Sequence, residues 1–119
     1  LPTMTCLKET FAQGDSLIIP IEYEQGALPD ISNFRNFDKI EITLKSDTSD
    51  VFVFATDKTD DYNIAIIDEN NMELIVKSED TLKMLGEITA DVRYYFTYKT
   101  KPMISSETNI ATNIIIVQQ

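Results

Sequence analysis

Apolar and polar side chains alternate along this chain with a period of two. The clearest run covers residues 87–99, where Ile88, Ala90, Val92, Tyr94, Phe96 and Tyr98 share one side and Thr89, Asp91, Arg93, Thr97 and Lys99 the other. On a helix these side chains would scatter around the axis, so the run predicts a long strand with one buried face. Residues 16–24 repeat the pattern with Leu17, Ile19, Ile21 and Tyr23, residues 38–45 with Ile40, Ile42 and Leu44, and residues 72–77 with Met72, Leu74 and Val76. Residues 109–117 close the series with Ile110, Ile114 and Ile116 on one side. The segments 51–55 and 63–67 are short and apolar on both faces, and are read as strands as well, with an opening strand over 5–11.

The segments between these runs carry turn chemistry. Gln13-Gly14-Asp15 separates the first two strands, and Asp68-Glu69-Asn70-Asn71 reads as a hairpin tip because Asn tolerates the left-handed conformation. A longer link over 26–37 holds Pro29, and residues 101–108, with Pro102 and two serines, read as the turn before the last strand. One short helical turn is predicted over residues 78–85, with Ser78 as its cap, Leu82 and Leu85 packed inward, and Gly86 as its stop. About seven strands with almost no helix predict an all-β domain of two packed antiparallel sheets spanning residues 1–119, a small closed barrel being the competing architecture.

Composition narrows the chemistry. Twenty acidic residues against 10 basic ones give a net charge of −10, which argues against a nucleic-acid backbone as partner and favours solubility or steering towards a basic surface. The chain has no His, which removes the usual proton shuttle and every Ser-His-Asp or Cys-His arrangement. The single cysteine, Cys6, has no intrachain partner and reads as an inert thiol. Three glycines make a phosphate cradle unlikely, and Asp57, Asp60 and Asp61, like Asp47 and Asp50, read as solvated turns rather than calcium ligands. The expectation is therefore a non-enzyme with no catalytic residues, metal or cofactor. No apolar run approaches the ~20 residues of a membrane span, and residues 1–11 lack the basic start and apolar core of a signal peptide. The chain opens on Leu1 rather than Met, so an initial segment, with any targeting signal, is allowed to have preceded it.

Several strands are also apolar on their outward faces. Ile18, Pro20, Ile75, Tyr95, Ile115 and Val117 form the candidate protein-contact surface, provided that they converge. Pro20 suits an edge strand, since proline cannot donate a ladder hydrogen bond. Tyr94, Tyr95 and Tyr98 suggest a sugar-stacking platform, but the alternation puts Tyr94 and Tyr98 on the core face.

Five stretches together carry a family likeness. Gln13-Gly14-Asp15-Ser16 followed by Ile18-Ile19-Pro20-Ile21 resembles the opening of small immunoglobulin-like domains in tailed-bacteriophage structural proteins. Phe37-Asp38-Lys39-Ile40-Glu41-Ile42-Thr43-Leu44 is similar to their next strand. Asn71 to Val76 with Ser78-Glu79-Asp80-Thr81 looks like their late hairpin strand and one-turn helix. Gly86 leading into Ala90-Asp91-Val92, and Thr108-Asn109-Ile110-Ala111, resemble their last two strands. The likeness runs from about Lys8 to Val117 and consists of strand-and-turn signatures. The chain departs from the pattern at Asn70-Asn71, where a Gly often tips the hairpin, and between Lys99 and Thr108, where an Asp-Gly is expected. The resemblance implies an immunoglobulin-like sandwich in a virion assembled in the bacterial cytoplasm: an accessory capsid, head-fibre, tail or baseplate component. Its partners would be other virion proteins or further copies of itself, with no nucleic acid and no membrane insertion. The alternative is a carbohydrate-binding or adhesin module on a virion tip or a bacterial surface.

Overall fold

A computed structural model describes residues 2–4, 8–23, 37–57, 63–68 and 71–119. Cys6, the carboxylates Asp60 and Asp61, most of the link over 26–37 and the hairpin residues Glu69 and Asn70 lie outside the described residues. The described chain is mostly strand, with one short helix, arranged in two sheets.

The strands are β1 (Pro2–Met4), β2 (Glu9–Ala12), β3 (Leu17–Tyr23), β4 (Lys39–Lys45), β5 (Val51–Ala55), β6 (Ile64–Ile66), β7 (Asn71–Val76), β8 (Gly86–Tyr98) and β9 (Lys101–Val117), with helix α1 (Ser78–Thr81) between β7 and β8. One sheet has the order β1-β3-β7-β6 and the other β2-β9-β8-β4-β5. The two share one core. Ile19, Ile21, Met72 and Leu74 from the first sheet meet Ile40, Ile42, Leu44, Val92 and Tyr94 from the second, all essentially sealed from solvent. The period of two read from the sequence is thus the period of burial, because each strand sends alternate side chains inward.

Several expectations are refined. Of the opening strand predicted over 5–11, residues 5–7 lie outside the described residues; its end is in β2 of the five-stranded sheet, and β1, ahead of it, joins the four-stranded sheet. The sheets are not wholly antiparallel, since β2 runs parallel to the end of β9, with Glu9 opposite Ile114 and Ala12 opposite Val117. The 101–108 segment is not a turn but the first half of β9, which pairs with β8 down to Tyr98 opposite Lys101. The turn is only Lys99 and Thr100, at φ 48° and 66°. Positive φ at both central residues is the geometry of a tight two-residue hairpin, normally made by Asn-Gly. Proline is tolerated in β9 because this part of the strand forms a sheet edge among the described residues.

Asn109 and Asn113, at φ 55° and 61°, mark two bulges in β9. Asn is the residue besides Gly that accepts this conformation most readily. The first bulge is held by Asp91 on β8, whose Oδ1 accepts the Asn109 N–H at 2.9 Å while its other oxygen pairs with Lys45 Nζ at 2.9 Å. The Asn109 N–H first, and then the Lys45 ammonium, hold the Asp91 carboxyl below the usual carboxylate range. At the second bulge Thr112 points into the core and donates to the Ile88 carbonyl at 2.7 Å, so its hydroxyl is satisfied although fully buried.

The helix is one turn long, and its inward residues are not the predicted ones. Thr81 and Met84 are buried, whereas Leu82 and Leu85 are 55% and 38% exposed. Lys77, not Ser78, occupies the N-cap position. A helix that stops after Thr81 no longer carries Leu82 and Leu85 round to the core side.

Candidate interaction surfaces

The six outward residues do not form one patch. Ile18, Pro20 and Ile75 lie on the outer side of the four-stranded sheet, with Ile18 opposite Ile75 across β3 and β7. Tyr95, Ile115 and Val117 lie on the outer side of the five-stranded sheet, on the far side of the core. Even there Tyr95 and Ile115 stand apart, since Ile115 is opposite Glu87, eight residues from Tyr95 along β8. At ~3.3 Å per residue that is about 26 Å. Alternation within a strand shows which side chains face outward; it does not show to which sheet the strand belongs.

Ile18 and Ile75, with Phe11, Leu17 and Val76, line a shallow apolar depression of about 550 Å³. Around Tyr95 the surface is mixed. Lys39 Nζ lies 5.2 Å from the ring centroid, Arg93 hydrogen-bonds to the Tyr95 side chain, and Ile104 stands opposite on β9. Lys39 also reaches Glu41 and Asp57, each at 3.5 Å. Tyr94 is buried, 4.8 Å centroid to centroid from Phe37, and Tyr98 packs partly against the core, so the three tyrosines build no common platform.

The sequence reading missed the hairpin of β8 and β9. Met103 and Ile104 are 43% and 59% exposed, the latter as much as Ile18 at 56%. Both were hidden by the reading of 101–108 as a turn; the signal available was the adjacent apolar pair Met103-Ile104 inside that segment. Beyond Tyr95, β8 has no β4 partner in the ladder, and β2 covers only Ile114 to Val117 of β9. This free length of β9 is poorly suited to adding a foreign strand. It carries Pro102, the Asn109 bulge and the inward-leaning Glu107, all features that blunt a sheet edge. Glu107 has one carboxylate oxygen removed from solvent with no hydrogen-bond partner, and this desolvation raises its pKa.

At the other end of β8, the Gln13-Gly14-Asp15-Ser16 motif is explained by what it touches. Gln13 Nε2 donates to the Met84 carbonyl at 2.9 Å, and the Gly14 N–H donates to Thr81 Oγ1 at 3.0 Å. The Thr81 hydroxyl in turn donates to the Asp15 carbonyl at 2.8 Å, and Asp15 Oδ2 accepts the Ala12 N–H at 3.1 Å. Gly14 is needed for its φ of 90°. The β4–β5 turn joins the same cluster through Asp47 N–H to the Leu85 carbonyl at 2.8 Å and Thr48 Oγ1 to the Lys83 carbonyl at 2.7 Å. Gly86, at φ 80°, leaves room for Asp47, whose carboxylate a Cβ would strike at 2.0 Å.

Among the described residues no group of three or more His, Cys, Asp or Glu side chains is placed to hold a metal ion. Among the described residues no helix is long and apolar enough to cross a membrane. No protein-family model and no curated protein sequence matches this chain.

Proposed function

We propose that the chain is a non-catalytic structural domain of a tailed-bacteriophage virion, a single immunoglobulin-like sandwich that works by docking on other proteins. The strand orders β1-β3-β7-β6 and β2-β9-β8-β4-β5 support the fold reading. They correspond to the A-B-E-D and A′-G-F-C-C′ sheets of immunoglobulin-like domains, with the first strand divided between the two. The likeness of the Gln13–Ser16 motif, the one-turn helix and the long eighth strand to phage structural domains supports the virion setting. The observation that carries the docking role is the hairpin of β8 and β9, which presents Met103 and Ile104 to solvent beyond the last β4 pair. An accessory capsid, head-fibre, tail or baseplate position fits this equally. Quantitative mass spectrometry of purified particles tests the reading: a fixed copy number per particle is expected, and absence from particles overturns it.

A second reading, a glycan-binding or adhesin module at a bacterial surface, rests on the outward ring of Tyr95 beside Arg93 and Lys39. It is the weaker one, because Lys39 already lies against the ring that a sugar would stack on. Glycan-array binding by the wild type that is lost in Tyr95→Ala would favour it over the first.

A further inference from the structure

The two ends of β8 differ in charge and match in apolar character. From Tyr94 to Ser106 the chain has no acidic residue, and the hairpin tip carries Lys99 and Lys101 beside the exposed Met103 and Ile104. At the Gly86 end the exposed Leu82 and Leu85 sit among the exposed acids Asp47, Asp50, Glu79 and Glu87, which outnumber the exposed Lys77 and Lys83 of the same end. Gly86 and Tyr98 are 12 residues apart on one strand, about 40 Å at ~3.3 Å per residue, so the two surfaces occupy opposite ends of a molecule 50 Å long.

We infer that these ends are complementary halves of one contact, through which copies of this chain associate head to tail. The basic hairpin of one copy seats the exposed Met103, which shares a face of the sheet with Lys101, against Leu82 and Leu85 of the next, with Lys99 and Lys101 facing its acids. A pairing of two hairpins is disfavoured, because it would set the lysines of one against those of the other and would use the blunted edge of β9. A contact between two different surfaces does not close on itself unless a rotation brings the chain back round, so its natural product is a linear array. The turn itself adds a second observation. Lys99 and Thr100 take a conformation that Asn-Gly would adopt at lower cost, so the tip keeps a charge at the expense of local stability. This inference deepens the docking role proposed above by naming the partner as a second copy.

Sedimentation velocity from micromolar to millimolar protein tests it. The wild type is expected to grow beyond dimer as concentration rises, and less so in high salt. Lys99→Glu with Lys101→Glu, and separately Glu79→Lys with Glu87→Lys, are each expected to weaken association at least about tenfold, the size of a ~1.4 kcal/mol loss. Mixing the two variants restores mass, because each acidic hairpin then meets a basic end and each basic hairpin an acidic one. Met103→Ser, folded by circular dichroism, lowers association without changing net charge. A wild type that stays monomeric at millimolar concentration, or variants that fail to rescue one another, would overturn the inference. Particle analysis is independent of it: a monomeric chain found in particles leaves the virion role standing, and a self-associating chain absent from them removes only that role.

Discussion

The two ends of β8 show how differently one sheet treats its termini. At Gly86, segments far apart in sequence are knitted by hydrogen bonds: residues 13–15 reach Thr81 and Met84, and the β4–β5 turn reaches Lys83 and Leu85. The polar groups there are spent inward, and Thr81 is fully buried at their centre. At Tyr98 the same strand leaves its β4 neighbour, turns on two residues with positive φ, and exposes apolar side chains. The first end holds the fold together by satisfying its own backbone. The second exposes Met103 and Ile104, so changes to those side chains are expected to cost the fold little.

That contrast makes ordered predictions. Met84→Ala should cost most, about 3 kcal/mol, since a fully buried side chain is replaced by a cavity beside the motif; urea unfolding measures it. Thr81→Val keeps the shape but strands the Gly14 N–H and the Asp15 carbonyl, at a cost of about 2 kcal/mol. At the far end the sign reverses. Thr100→Gly should stabilise the fold by about 1 kcal/mol, and so raise the unfolding midpoint, because a β-branched residue is relieved of a left-handed conformation. A loss on Thr100→Gly, or a Thr81→Val chain as stable as wild type, would erase the distinction between the ends.

The smallest effects lie between them, at Asp91 on β8 and Glu107 on β9, and depend on pH. The Asp91 carboxyl is held below its ordinary pKa, so its contribution is present above the usual carboxylate range and is lost as pH falls through its lowered value. Glu107 is raised by desolvation, so its ionisation weakens the fold as pH rises from the usual range through the raised value. Unfolding free energies measured from acid to neutral pH should therefore be flattened in opposite senses by Asp91→Asn and Glu107→Gln. Glu107→Gln is expected to be the more stable at neutral pH, by under about 1 kcal/mol for so partly exposed a group.

Much of this was legible in the sequence where one physical rule acted alone. The alternation of Ile40, Ile42 and Leu44, or of Ile88 through Phe96, sufficed because a strand with one wet face has no other way to bury them. It failed where two rules competed. Pro102 and a serine pair outweighed β pairing in the reading of 101–108, although the hairpin turns at Lys99-Thr100, a pair without turn chemistry. Thr112 falls in step with Ile110, Ile114 and Ile116 and, like the last two, is buried, but its polar side chain kept it from being counted as core. Leu82 and Leu85 looked like core on a helix of two turns and are surface on a helix of one. The outward residues were read one strand at a time, and Ile18 and Tyr95 fell on opposite sides because sheet order is set by long-range pairing.

The bond from Gln13 to Met84 joins residues 71 positions apart. During synthesis at ~5–20 residues per second, the opening motif waits several seconds for its partner to be made. Until then Gly14 and Gln13 have nothing to hold, and the first strands lie on the ribosome as loose chain. The motif therefore acts as a latch that closes late, with only the pairings of β8 and β9 to follow, and a nascent chain halted before residue 84 should remain open to proteases at its front.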